Sequence, residues 1–137
     1  MPDPQRAQRG IIDTSVVTDL ERLEARQLPV EIAVSAITMA ELAAGPHASG
    51  DADERARRQD RLQRAEATFD PLPFDGESVR AYGRIYAAEV ASGRKARGTR
   101  ALDLLIAATA CAANLPVYTR NPEDFRGLQG LVDVVAV

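Results

Sequence analysis

Short apolar, β-branched runs alternate with helical segments along almost the whole chain, and this alternation restricts the fold more than any other feature. Gly10-Ile11-Ile12, ending at Asp13, reads as a strand buried on both faces. Thr14 and Ser15 follow as cap residues. Val16, Val17, Leu20, Leu23 and Leu28 then recur at helical spacing until Pro29 closes the helix. Residues 30–34 predict a second strand, and Ser35 caps a helix over 36–44 that Gly45-Pro46 stops. A helix over 51–66 follows, then a Pro-bearing edge segment over 68–74, a helix capped by Asp75 and running to about Ser92, and a helix from Thr99 or Arg100 to about Asn114. Strands over 115–119 and 131–137 flank a loop at 120–130. Strand–helix alternation of this kind predicts a three-layer α/β/α sandwich around a mostly parallel central sheet. The 137 residues suit one domain over 1–137, with residues 1–9 as a flexible lead. A chain of this size buries roughly two-thirds of its unfolded surface, enough for its own core.

Composition removes several kinds of chemistry. One cysteine, Cys111, excludes an internal disulfide and a Cys-rich zinc site. One histidine, His47, excludes multi-His metal centres and argues against Ser-His-Asp or Cys-His catalysis. The longest apolar stretch, 104–108, is far below the roughly 20 residues of a membrane span. The first nine residues hold charges and two prolines but no apolar segment, so we expect no secretory leader and a cytoplasmic chain. Net charge is −3, which offers no global attraction to nucleic acid. In the 51–66 segment five acids face five arginines, the pattern of a salt-bridged surface helix.

Three acids stand in apolar surroundings. Asp13 ends a strand, Glu41 lies in Ile37-Thr38-Met39-Ala40-Glu41-Leu42-Ala43-Ala44, and Asp103 lies in Ala101-Leu102-Asp103-Leu104-Leu105-Ile106. Each has a plain structural use: a turn cap, an exposed helix face, or an acid in a helix's first turn, favoured there by about 0.3–1 kcal/mol. In open α/β sheets, however, the ligand site lies beyond the carboxyl ends of the strands, where all three can converge. Converging carboxylates repel unless a cation lies among them, and an all-carboxylate donor set suits Mg²⁺ or Mn²⁺. The economical chemistry is metal-assisted attack of water on a phosphodiester.

These pieces resemble the PIN-domain ribonucleases, in particular the VapC toxins of bacterial toxin–antitoxin pairs. The resemblance rests on Ile11-Ile12-Asp13-Thr14-Ser15, on Ser35-Ala36-Ile37-Thr38-Met39-Ala40-Glu41-Leu42, on 101–110, and on Tyr118-Thr119-Arg120-Asn121-Pro122-Glu123-Asp124-Phe125. It implies a Mg²⁺-dependent endoribonuclease, with Mn²⁺ as a substitute, leaving a 5′-phosphate and a 3′-hydroxyl on an RNA such as tRNA or rRNA. It also implies a homodimer and a cognate VapB-like antitoxin. Asp13, Glu41 and Asp103 match the family's first three metal-binding and catalytic acids. Asn121 stands where a fourth commonly lies, and Asp124 is the remaining acid able to serve. We expect Asp124 to act outside the metal's own ligands. Ser15 and Thr119 match hydroxyls lining the pocket.

Arg94, Lys95, Arg97 and Arg100 form a basic stretch just before the Asp103 helix, suited to RNA phosphates or to a solvated loop. Tyr82 and Tyr86, beside Val79 and Val90, read as core or dimer interface rather than base-stacking residues. Two other classes fit less well. A phosphoaspartyl phosphatase needs a second acid where Ser15 stands, and a phosphorelay receiver needs a late strand-end lysine, whereas the chain's one lysine is Lys95. A non-cleaving RNA- or protein-binding module would not need the acids.

Overall fold

The computed structural model describes residues 6–137. Four strands, β1 (Arg9–Ile12), β2 (Glu31–Ala33), β3 (Val117–Thr119) and β4 (Val134–Ala136), form one sheet in the order β2-β1-β3-β4. All pairings are parallel. Five helices accompany them: α1 (Thr14–Thr18), α2 (Ala36–Ala44), α3 (Ala52–Thr68), α4 (Gly76–Ala91) and α5 (Thr99–Ala113). The edge segment expected over 68–74 meets the sheet at one point, a parallel bridge between Leu72 and Ser35.

Strand alternation builds the two cores. Ile11, Ala33 and Val117 face one way, into a cluster with Ala81 and Ile85 of α4 and Leu104, Ala107 and Ala108 of α5. Their neighbours Ile12, Val34 and Tyr118 face the other way, onto Val16 and Val17 of α1, Leu42 of α2 and Ala65 of α3. A sheet covered on both faces is why β1 and β3 read as continuous apolar runs. Gly10 is needed for a close approach, since a Cβ there would lie 2.8 Å from the Tyr118 ring.

The structure departs from the sequence expectations in three places. The first helix stops at Thr18, and two 3₁₀ turns (Leu20–Arg22 and Ala25–Gln27) carry the chain to Pro29. A β-branched run of Val16, Val17 and Thr18 is poor helical material, and a capping box between Glu24 and Gln27 starts the second turn afresh. The last strand begins at Val134, because Leu131 and Val132 are hydrogen-bonded back to Leu128 in a turn. Of the lead expected over residues 1–9, residues 1–5 lie outside the described residues, whereas 6–9 are tied down. Ala7 N–H donates to the Tyr118 hydroxyl, Arg6 Nε to the Leu28 carbonyl, and Arg9 opens β1. Among the described residues no helix is long and apolar enough to cross a membrane.

The chain steps from β1 outward to β2, then returns to place β3 on the other side of β1. The switch point between β1 and β3 is therefore the crevice where such sheets bind ligands. Asp13 N–H donates to the Tyr118 carbonyl at 3.0 Å, so the ends of both strands meet there.

Candidate metal centre

Asp13 is the first residue past β1 and caps α1. Its Oδ1 accepts from Val16 N–H at 3.1 Å and from the Ser15 hydroxyl at 2.6 Å. Oδ2 takes no hydrogen bond among the described residues and is left for another partner.

Glu41 reaches the crevice from the middle of α2. Its Oε1 accepts from the Thr14 hydroxyl at 2.8 Å. Thr14 Oγ1 also lies 3.1 Å from Thr38 Oγ1. Its single hydrogen is already given to Glu41, so Thr38 is the donor in that contact. Ser35 in turn lies 3.4 Å from Thr38. The result is a chain of hydroxyls running from the buried start of α2 to the carboxylate, each bond polarising the next. Burial pushes the Glu41 carboxyl above its ordinary range; the Thr14 bond opposes this and the Asp13 charge adds to it.

Asp103 sits near the start of α5, half-buried. Burial, followed by the charges of Asp124, Asp13 and Glu41, pushes its carboxyl up to about 7, with Arg100 opposing. Four acids from four parts of the chain therefore act on one another at the switch point. Among the described residues, however, no three His, Cys, Asp or Glu side chains are drawn together closely enough to hold an ion.

The fourth acid is placed by a 3₁₀ turn, Pro122–Phe125, which bends back after β3. Asp124 is thereby the carboxylate whose charge acts most strongly on Asp103. Asp124, expected to act outside the metal's own ligands, stands near enough for its charge to act on Asp103. Asn121 is exposed at the head of the turn, its N–H donating to Thr119 Oγ1 at 3.0 Å.

Ser15 is half-buried beside Asp13, and Thr119 lies behind it. Thr119 is fully buried. Ser15 Oγ gives its hydrogen to Asp13, accepts from Arg120 N–H at 3.0 Å and lies 3.5 Å from Thr119 Oγ1. These hydroxyls orient Asp13 and the exit of β3.

The basic stretch is corrected in part. Arg100 makes a two-pronged ion pair with Glu89 of α4, with Nε to Oε2 at 2.5 Å and Nη2 to Oε1 at 2.6 Å. Its side chain is 11% exposed and that of Glu89 1%. Arg94 donates to the carbonyls of Glu123 and Arg126. Lys95 and Arg97 are exposed and make no ion pair or side-chain hydrogen bond among the described residues, which leaves two cations free. Glu89 was not among the acids singled out in the sequence, although Ala87-Ala88-Glu89-Val90-Ala91 is as apolar as their surroundings.

In chemistry the four acids offer carboxylate oxygens only, the donor type a hard divalent cation takes. The roomier hollows lie elsewhere. One of about 440 Å³ runs beside β4, and one of about 340 Å³ lies between α1 and α3, lined by Val17, Leu20, Arg61, Ala65 and Phe69. Neither contains Asp13, Glu41, Asp103 or Asp124. The acids occupy the sheet's edge crevice rather than an enclosed chamber.

Residues 11–130 match the family model of the PIN domain. The chain is 35% identical to Ribonuclease VapC5 of Mycobacterium tuberculosis, over 91% of each protein. It is 33% identical to Ribonuclease VapC1 of Rickettsia felis, over 88% of this chain and 91% of the relative. A crystal structure of VapBC-5 from Mycobacterium tuberculosis, a member of the VapBC family of toxin–antitoxin systems, contains a chain that superposes with a TM-score of 0.82 at 34% identity, covering 95% of this chain and 99% of that one.

Proposed function

The chain belongs to the PIN-domain family, and from that premise we propose that it is a metal-dependent endoribonuclease acting as a toxin. The observation that carries the reading is Asp103: half-buried, acted on by three other carboxylates, with the cation that opposes them, Arg100, already held by Glu89. Asp13, Glu41, Asp103 and Asp124 are the residues that would hold Mg²⁺, or Mn²⁺ in its place. When bound, the ion supplies a water of lowered pKa and positive charge for the reacting phosphate.

The chain's own part is orientation and charge. Asp13 is held by the start of α1 and by Ser15, and Glu41 by Thr14. Asp103 must shed its proton before it can serve, so cleavage rises with pH toward and through neutrality. Lys95 and Arg97, with the Asn121 amide, are the groups left to meet RNA phosphates. A structured RNA such as tRNA or rRNA is the substrate class, and an RNA target puts the site of action in the cytoplasm.

The partner is a VapB-like antitoxin. An arginine on its tail, placed among the acids, would form charge-assisted bonds with them and compete with the ion. Val79, Tyr86 and Val90 are exposed along one side of α4, and we assign that stripe to a homodimer contact. The test is cleavage of purified tRNA and rRNA with Mg²⁺, with and without EDTA, reading the product ends. We expect EDTA-sensitive cleavage leaving 5′-phosphates. Cleavage that persists in EDTA would refute the metal reading, and RNA left intact with Mg²⁺ and no antitoxin would refute the enzymatic one.

A further inference from the structure

Two of the four cations of the 94–100 stretch are committed to a single turn. Arg94 Nη1 donates to the carbonyl of Glu123 at 2.9 Å and to that of Arg126 at 3.2 Å. Arg100 Nη2 donates to the same Arg126 carbonyl at 3.3 Å. These carbonyls bracket Asp124. Arg100 can hold its place because Glu89 grips it with both oxygens, and a two-pronged carboxylate fixes the plane of a guanidinium as well as its position.

A buried ion pair contributes little net stability compared with apolar residues of similar volume. This one makes sense through what it orients. Asp124 and Asp103 repel when both are ionised, and the turn that carries Asp124 is a short 3₁₀ segment on an exposed connection. Phe125 anchors the turn in the core on one side. On the other side, arginine-to-carbonyl bonds hold it against the repulsion.

We infer that Glu89 is a positioning residue: by locking Arg100 against the 122–126 turn, it keeps Asp124 beside Asp103. The inference rests on the metal-site reading above, and its test separates the two. The variants are Glu89→Gln, Asp124→Asn and their combination. Arg94→Gln, which removes two of the three carbonyl bonds and leaves the buried pair whole, takes the place of Glu89→Gln if that variant does not fold.

The first readout needs no metal. At pH 8.5 in EDTA, Asp124→Asn relieves repulsion and raises Tm in the wild-type background. In the Glu89→Gln background Arg100 no longer braces the turn and only the Arg94 bonds remain, so the gain is smaller. The second readout is Mn²⁺ affinity by calorimetry. Glu89→Gln weakens it about 10- to 100-fold, the usual effect of removing a group that orients a ligand, and has no further effect once Asp124 is Asn. A Tm gain of equal size in both backgrounds, or equal loss of Mn²⁺ affinity in both, would show that Glu89 only holds the helices together. If the wild-type chain binds no Mn²⁺, the metal reading fails, and the Tm comparison still decides the role of Glu89.

Discussion

Glu89 and Asp103 are both carboxylates set among alanines and aliphatic residues, on two helices packed against each other, and they meet opposite surroundings. Glu89 finds a guanidinium at 2.5 Å, which holds its carboxyl below the usual range. Asp103 is pushed up to about 7, by burial first and then by three neighbouring carboxylates. The first region is compensated from within and acts as structure. The second is left short of positive charge. A buried acid by itself says little about function; whether the fold supplies its counter-charge is what separates the lock between α4 and α5 from the crevice.

The difference can be pressed hardest on activity. Asp103→Asn keeps the shape and removes one charge from the crevice, and RNA cleavage should fall on the order of 10²- to 10³-fold or more, with the circular-dichroism spectrum unchanged. Near wild-type cleavage would place the chemistry elsewhere. Next in size is the lock. Glu89→Gln leaves a buried guanidinium without its anion and should lower stability by roughly 3–5 kcal/mol in denaturant unfolding. A loss below about 1 kcal/mol would show Arg100 finding water instead.

The pH dependence of stability should separate the same two regions by sign. Asp103 has a native value near 7, above its ordinary 3.8. Metal-free stability therefore falls as pH rises between about 4 and 7, where the unfolded chain ionises first, and stays low above that. Glu89 has a native value below its ordinary 4.5. Its contribution is present above that value and is lost as pH falls through the depressed one. Metal-free thermal scans from pH 3 to 9 should show Asp103→Asn removing the fall between about pH 4 and 7 while leaving the acid-side loss linked to Glu89 in place. The smallest expected effect is that of Thr14→Val, which takes one hydrogen bond from Glu41. It should cost about 1 kcal/mol and raise the Glu41 carboxyl further, detectable by carboxyl NMR.

The sheet and most helices could be read from the sequence, because Gly10-Ile11-Ile12 and the 101–110 helix declare burial through their immediate neighbours. Asp13, Glu41 and Asp103 were legible for the same reason: each breaks a local apolar pattern. What local pattern does not carry is pairing. Arg100 reads as one cation of a basic stretch, and only the packing of α4 on α5 shows that a carboxylate 11 residues upstream holds it. Thr119 reads as a hydroxyl near the acids, and only the pairing of β1 with β3 shows it buried behind them. Asp124 depends on how Pro122 opens its turn, a backbone geometry that spacing alone leaves free.

We propose that the acid crevice takes a divalent cation from solution. The most direct test is a ¹³C-carboxyl NMR titration of Asp103, first in EDTA and then with saturating Mg²⁺. The metal-free carboxyl should titrate near 7, and Mg²⁺ should carry its midpoint below the ordinary carboxylate range. A metal-free midpoint near 4 that Mg²⁺ does not move would contradict the account.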